Sequence, residues 1–206
     1  LNHILKIHDL ITKQLGKTLI MYHDSLQTES RIIKDLPKDI IVIYWNYNLY
    51  PSDLVLSPFK KNGIRTVVSP SIINWTRPFP YLKHGFKNMQ AMVEIGKTTR
   101  CHGFINSAWG DFSNENFIPL NIIPLSFGCY LAWNPNINRS APKKKLTTGA
   151  TINRYKWAFS RDFFKYDYFN AIWDLMEKIS AFNEGGPWDN NFFIELWTHP
   201  FDGFPR

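Results

Sequence analysis

The chain has 206 residues, of which 44% are hydrophobic and 20% charged, which suits an ordinary globular domain and excludes a disordered chain. Its 24 basic and 17 acidic residues leave a formal charge of +7. That charge is spread thinly, and its one run, Lys143-Lys144-Lys145, reads as a solvated loop, so no basic stripe interleaved with aromatics points to nucleic acid.

The chain opens inside a helical pattern, with Leu1, Ile4, Leu5, His8 and Ile11 or Leu15 on one face. It starts at Leu rather than Met, and the expectation is a segment cut from a longer polypeptide. Four short apolar runs follow: KTLIMYHD (Lys17–Asp24), DIIVIYWNYN (Asp39–Asn48), RTVVSPSIINW (Arg65–Trp75) and HGFINSAWGD (His102–Asp111). Three of them are rich in β-branched residues and none alternates cleanly, which is how parallel strands covered on both faces read. Each follows a breaker: Gly16, Pro37, Gly63, and KTTRCHG after Gly96.

Helical patterns lie between the runs. TESRIIKDL carries Ile32, Ile33 and Leu36 on one face. PSDLVLSPFKKNG opens on Pro51-Ser52-Asp53, stops at Gly63 and is shortened or broken by Pro58. PYLKHGFKNMQAMVEIG sets Leu82, Phe86, Met89, Val93 and Met92 on a stripe and ends at Gly96, while NFIPLNIIPLSFGCYLAW is apolar almost all round and is expected to be buried. No apolar run approaches the ~20 residues that span a bilayer, so no membrane span is expected.

Strand then helix, four times over, predicts parallel βα units, and right-handed crossovers then set every strand end on one face. No GxGxxG or Walker motif follows any strand. Four strands do not close a barrel. The expected fold is therefore α/β: residues 1–133 as the C-terminal half of a (β/α)8 TIM barrel, about four βα units, with the first half before Leu1. Residues 134–149 read as a polar linker. Residues 150–206 read as a helical C-terminal extension packed on the barrel, ending in a Gly/Pro-broken, aromatic tail.

The strand ends carry the chemistry. Tyr22 and Asp24 follow the first strand, Trp45 the second, Asn74 and Trp75 the third, and Asn106, Trp109 and Asp111 the fourth. Indole walls suit the apolar faces of a pyranose, and carboxylates and amides suit its hydroxyls. Any one of these Trp residues is explained by core packing; three at matching positions on successive strands favour a sugar site. Asp111 in WGD carries most weight, because a carboxylate at a strand end is costly unless it is solvated or meets a ligand.

No cofactor or metal is expected. Cys101 and Cys129 are too far apart for a CxxC site, and either two buried free thiols or one disulfide fits them. His23-Asp24 reads as a structural hydrogen bond before a metal or catalytic pair, and His8, His84 and His102 read as structural. Glu115 reads as a helix-capping residue. Asn74-Trp75-Thr76 and Asn138-Arg139-Ser140 match the glycosylation pattern, the first in conflict with a role in a pocket.

These residues carry a family likeness. GFINSAWGDFSNENFIPLNIIPLSFGCYLAW resembles the last-strand segment of the glycoside hydrolase family 20 barrel, that of the β-N-acetylhexosaminidases, where Trp-Gly-Glu or Trp-Gly-Asp precedes a helix ending in an Ala-Trp or similar pair. LPKDIIVIYWNY and SPSIINWTRPFP resemble the two strands before it, and the likeness covers roughly Lys17 to Trp133. It implies that Trp109 walls the subsite for the terminal sugar, that Asp111 binds the outer hydroxyls, and that Trp45 helps enclose the acetamido group. Tyr22 stands where many members have Trp, and Asn74-Trp75 stands near a position where many have the Tyr that holds the acetamido oxygen.

The family's general acid/base is the Glu of an adjacent Asp-Glu pair on an earlier strand. Its Asp orients the substrate's own acetamido group for attack on C1. This chain contains no Asp-Glu dipeptide. The resemblance thus implies a parent retaining exo-β-N-acetylhexosaminidase with the pair upstream of Leu1, and no catalytic residue in this chain. The implied partners are a terminal N-acetylhexosamine and the missing N-terminal half of the barrel, with secretion or a periplasmic home. The first alternative is a non-catalytic carbohydrate-binding relative. A basic nucleic-acid-binding domain is the second, and the scattered charge argues against it.

Overall fold

The computed structural model describes residues 1–27, 29–110, 116–133, 148–165 and 169–181. The protein is a mixed α/β structure built on four strands, β1 (Ile20–Tyr22), β2 (Ile41–Trp45), β3 (Arg65–Ser69) and β4 (Gly103–Phe104). They form one sheet in the order β1-β2-β3-β4, and every pairing is parallel. Tyr22 lies opposite Ile43, Trp45 opposite Ser69 and Val68 opposite Phe104. A further bridge between Ser71 and Ser107 carries the β3–β4 pairing beyond the strands. All four predicted runs therefore hold a strand, shorter than the run in each case.

The helices are α1 (Asn2–Asp9), α2 (Asp24–Gln27), α3 (Ser57–Lys61), α4 (Leu82–Thr98), α5 (Ile122–Trp133), α6 (Thr148–Phe159) and α7 (Phe169–Ser180). A π-turn, Leu10–Gln14, continues α1, and a 3-10 turn, Ser30–Asp35, follows α2. The π-turn shifts the phase of the N-terminal stripe. Ile4, Ile7 and Ile11 pack inward, and Leu1 and Leu15 of the expected stripe stay exposed. No described helix is long and apolar enough to cross a membrane.

One face of the sheet holds the helices. Met21 and Val42 pack with Leu26, Ile33, Leu36 and Phe59, and Tyr44, Val68 and Phe104 pack with Leu56, Met92 and Ile95. Side chains alternate along a strand, so Ile20, Tyr22, Ile41, Ile43, Trp45 and Val67 fall on the opposite face. There Ile20 is 51% exposed and Tyr22 40% exposed. The central strands β2 and β3 are buried on both faces as expected, with Ile43 and Val67 each 8% exposed, whereas the edge strand β1 leaves its second face open.

Helix α4 is the hinge between two layers. Its Met92 meets the sheet at Val68, while Leu82, Phe86 and Met89 join Ile123, Phe127 and Leu131 of α5, Tyr155 and Phe159 of α6 and Trp173 of α7. The Trp173 indole donates to Ser160 Oγ at 2.7 Å, and Lys156 pairs with Glu177, so α6 and α7 are tied to each other as well as to α4. α6 begins at Thr148, inside the segment read as linker; residues 134–147 and 182–206 lie outside the described residues.

Three further expectations change. Gly96 does not end α4, which runs on to Thr98. The stop comes from Arg100, at φ 56°, with its N–H on the Lys97 carbonyl and the Cys101 N–H on the Gly96 carbonyl. That double bond is a Schellman cap formed without glycine. The glycine serves packing instead, since a Cβ on Gly96 would stand 2.9 Å from Val68 Cγ2. α5 is not buried all round: Ile123, Phe127 and Leu131 are, while Ile122 and Trp133 are exposed, because only one side of α5 meets α4 and α6. Both cysteines are free thiols, and Cys129 is exposed rather than buried.

Gly96→Ala should destabilise the protein by about 1–3 kcal/mol despite alanine's better helix propensity, because the added methyl overpacks the α4–β3 contact. Urea unfolding measures it. The loss should disappear in a Val68→Ala background.

Candidate functional site

The C-terminal strand ends hold an aromatic cluster. The Trp45 and Tyr47 rings lie 5.0 Å apart, the Tyr47 and Trp75 rings 5.3 Å, and the Tyr22 and Trp109 rings 6.4 Å. β1 and β4 are the two edges of the sheet, which would stand about 14 Å apart if it were flat. The loop after β4 therefore carries Trp109 back along the strand ends towards β1.

Hydrogen bonds fix the walls. Trp45 Nε1 donates to Asp24 Oδ1 at 3.3 Å, and Trp109 Nε1 donates to the Tyr47 hydroxyl at 2.6 Å. The Trp109 backbone N–H donates to Asn74 Oδ1 at 3.0 Å. Asn116 Nδ2 in turn donates to the carbonyls of Asn74 and Arg77, at 3.1 and 3.2 Å. Tyr22 and Asp24 are exposed, Trp45 and Trp109 half-buried, and Asn74 and Trp75 buried.

Five of the predicted residues thus converge with Tyr47: Tyr22, Trp45, Asn74, Trp75 and Trp109, with Asp24 bound to the Trp45 edge. Trp75 is 5% exposed and backs the wall rather than forming its surface. Asn106 is turned away. Its Nδ2 faces Met89 Sδ and the Pro124 carbonyl, both at 3.4 Å, under α4 and α5. It shares the helix side with Phe104 by strand alternation, so it corrects the expectation of a group at the mouth. Asp111 and Glu115 lie outside the described residues.

The support comes from α4. Asn88 Nδ2 donates to the carbonyls of Asn46 and Asn48, at 2.9 and 2.7 Å, and its Oδ1 accepts the Ser71 N–H at 3.2 Å. His84 Nε2 stands 2.7 Å from the Tyr47 carbonyl. Beneath them, Ser69 and Ser107 share a hydroxyl hydrogen bond of 2.7 Å, and Ser71 Oγ donates to the Ser107 carbonyl at 3.0 Å. Most buried polar groups are hydrogen-bonded; Asn88 and His84 spend their bonds on loop backbone, and Ser69 and Ser107 bond each other. Tyr47, Asn88 and His84 were not among the predicted site residues. Tyr47 lies two places beyond Trp45, so strand alternation carried its signal, whereas the support from Asn88 and His84 had none in the sequence.

The β3 loop is strained. Ile73 and Thr76, both β-branched, have φ of 53° and 55° on either side of Asn74-Trp75. Each such residue costs on the order of 1–3 kcal/mol, and such strain collects at functional sites. The Tyr81 N–H on the Ile73 carbonyl, at 2.9 Å, and Ser71 Oγ on the Ile73 N–H, at 3.2 Å, hold the first of them. Arg77 is buried there with its guanidinium 4.9 Å from the Tyr81 ring centre, and burial pushes its pKa down to about 10, still charged at neutral pH. Asn74 is both buried and bonded, which removes it as a glycosylation acceptor in the folded chain; Asn138 is outside the described residues.

The His23 Nδ1 is buried and has no hydrogen-bond partner among the described residues, so the expected structural hydrogen bond is not seen at that atom. Its ring stands edge-on to Tyr44 at 5.0 Å and to Trp45 at 5.9 Å. Among the described residues, no group of three or more His, Cys, Asp or Glu is arranged to hold a metal. The chain matches no protein-family model and no curated protein sequence.

Asn88→Ala should cost about 2–4 kcal/mol, the sum of three hydrogen bonds and the carbonyls left behind, read as a fall in the urea midpoint.

Burial holds the pKa of both His23 and His84 below the ordinary 6.5, with Asp24 partly offsetting it at His23 and the Tyr47 carbonyl at His84. The unfolded chain takes up protons near that ordinary value while the folded rings stay neutral. Stability should therefore be complete above it and fall as the pH drops from there towards each folded pKa. Unfolding from about pH 8 to about pH 5 tests this, and the acid-side slope should flatten in His84→Gln.

Proposed function

We propose that the chain is the sugar-binding portion of a glycoside hydrolase resembling the family 20 exo-β-N-acetylhexosaminidases. The observation that carries the reading is the convergence of Tyr22, Trp45 and Trp109, with Asp24, at the C-terminal ends of the parallel strands. Active sites of (β/α)8 barrels sit at that end. Sequential strand order, one helical layer and an apolar opposite face support half of such a barrel. Closing it requires four further βα units, which would cover Ile20 and Tyr22 and pair with the β1 and β4 edges.

In this reading the indoles of Trp45 and Trp109 meet the apolar faces of the terminal sugar, and Asp24 and Asp111 accept from its hydroxyls. The residues of this chain bind and orient the substrate. Protonation of the leaving oxygen falls to an acid/base on the other half, while the substrate's own acetamido oxygen attacks C1. The absence of an Asp-Glu dipeptide in this chain agrees with that division. It equally favours the second reading, a carbohydrate-binding relative whose other half lacks the acid/base.

The test is hydrolysis of an aryl N-acetyl-β-glucosaminide by the full-length protein. Trp109→Ala should lower kcat/KM at least about tenfold, ~1.4 kcal/mol of transition-state binding. Sugar binding without turnover selects the second reading, and neither binding nor turnover sinks both.

A further inference from the structure

We propose that Tyr47 is a positioning residue that sets the angle of the Trp109 indole and, through it, the grip of the site on its sugar; this rests on the carbohydrate reading above. Trp109 comes from the loop after β4 and is held at two points. The Asn74 side chain from the β3 loop takes its backbone N–H at 3.0 Å, and the Tyr47 hydroxyl from the β2 loop takes its indole N–H at 2.6 Å. The first bond places the residue and the second chooses the plane of the ring. An indole N–H is a donor only, so the ring turns to wherever an acceptor stands.

Tyr47 is built to stand still. Its ring is packed between Trp45, at 5.0 Å, and Trp75, at 5.3 Å, and the residue is 5% exposed. His84 holds its carbonyl at 2.7 Å, and Asn88 holds the carbonyls on either side of it, those of Asn46 and Asn48. The hydroxyl is thus fixed from α4 through the backbone and from two indoles through the ring. At low dielectric a hydrogen bond is stronger and its loss is felt more. Stacking on a sugar face depends on ring orientation, so the acceptor on β2 controls a wall supplied by β4.

Tyr47→Phe in the full-length protein keeps the ring and removes the hydroxyl that accepts the Trp109 indole N–H. Hydrogen exchange of the Trp109 indole N–H, followed by NMR, should speed about tenfold, and kcat/KM for an aryl N-acetyl-β-glucosaminide should fall about tenfold, mostly in KM. A double-mutant cycle separates positioning from packing. In a Trp109→Phe background, Tyr47→Phe should change kcat/KM by no more than about twofold. An equal loss in both backgrounds overturns the proposal, as does an indole exchange rate that Tyr47→Phe leaves unchanged. Faster exchange with undiminished kcat/KM also overturns it, since the indole would then move without consequence for the sugar. If the wild-type protein neither binds nor hydrolyses the glycoside while the variant's indole still exchanges faster, the sugar role is overturned with the carbohydrate reading, and the failure is traced to that reading rather than to the Tyr47–Trp109 contact.

Discussion

Four parallel strands laid side by side in chain order, joined by crossovers of one hand, can put their helices on only one face. That constraint organises the molecule. Met21, Val42, Tyr44, Val68 and Phe104 are spent on the helical layer. The alternate residues fall on the opposite face, where Ile43 and Val67 of the central strands are buried and Ile20 and Tyr22 of the edge strand are exposed. The same constraint gathers all four C-terminal strand ends along one rim, so residues far apart in sequence, Tyr22 and Trp109 among them, meet there. A doubly wound sheet would have covered both faces and moved the strand ends to a crevice where the strand order reverses.

The rim is irregular backbone, and irregular backbone near a core has carbonyls and N–H groups to satisfy. Helix α4 meets that demand. It carries Asn88 and His84 on a buried face, where an apolar pair would pack more simply, and both bond loop carbonyls rather than each other. The same region tolerates two β-branched residues in left-handed conformation, Ile73 and Thr76, on either side of Asn74-Trp75. Buried polar support and local strain in one place are what a site needing fixed side-chain angles requires, and the aromatic cluster is the part of the protein they hold.

α4 is also where the two layers meet. One side packs so close to β3 that a Cβ at position 96 would stand 2.9 Å from Val68 Cγ2, and the other buries Phe86 and Met89 against α5 and α6. The helices after the sheet are thereby mechanically continuous with the site: α7 packs on α6, α6 on α5 and α4, and α4 on the loops that hold Tyr47 and Ser71.

The sequence by itself determined the strands, their order and the rim. β-Branched runs such as IVIYW and RTVVS after glycine or proline breakers are local signals, and Gly16 and Gly63 do sit at positive φ. Alternation continued past β2 also carried the signal that Tyr47 stands on the side of Trp45, whereas Asn106, expected at the mouth, was placed by the structure under α4 and α5. Tertiary structure alone decided the rest. Whether α5 is covered on one side or all round, whether Gly96 ends a helix or lets it approach a strand, and which acceptor fixes the Trp109 indole are facts about neighbours distant in sequence. Periodicity tells which side of its own element a residue faces. It carries nothing about what stands opposite, because that depends on how crossovers and loops fold the elements together.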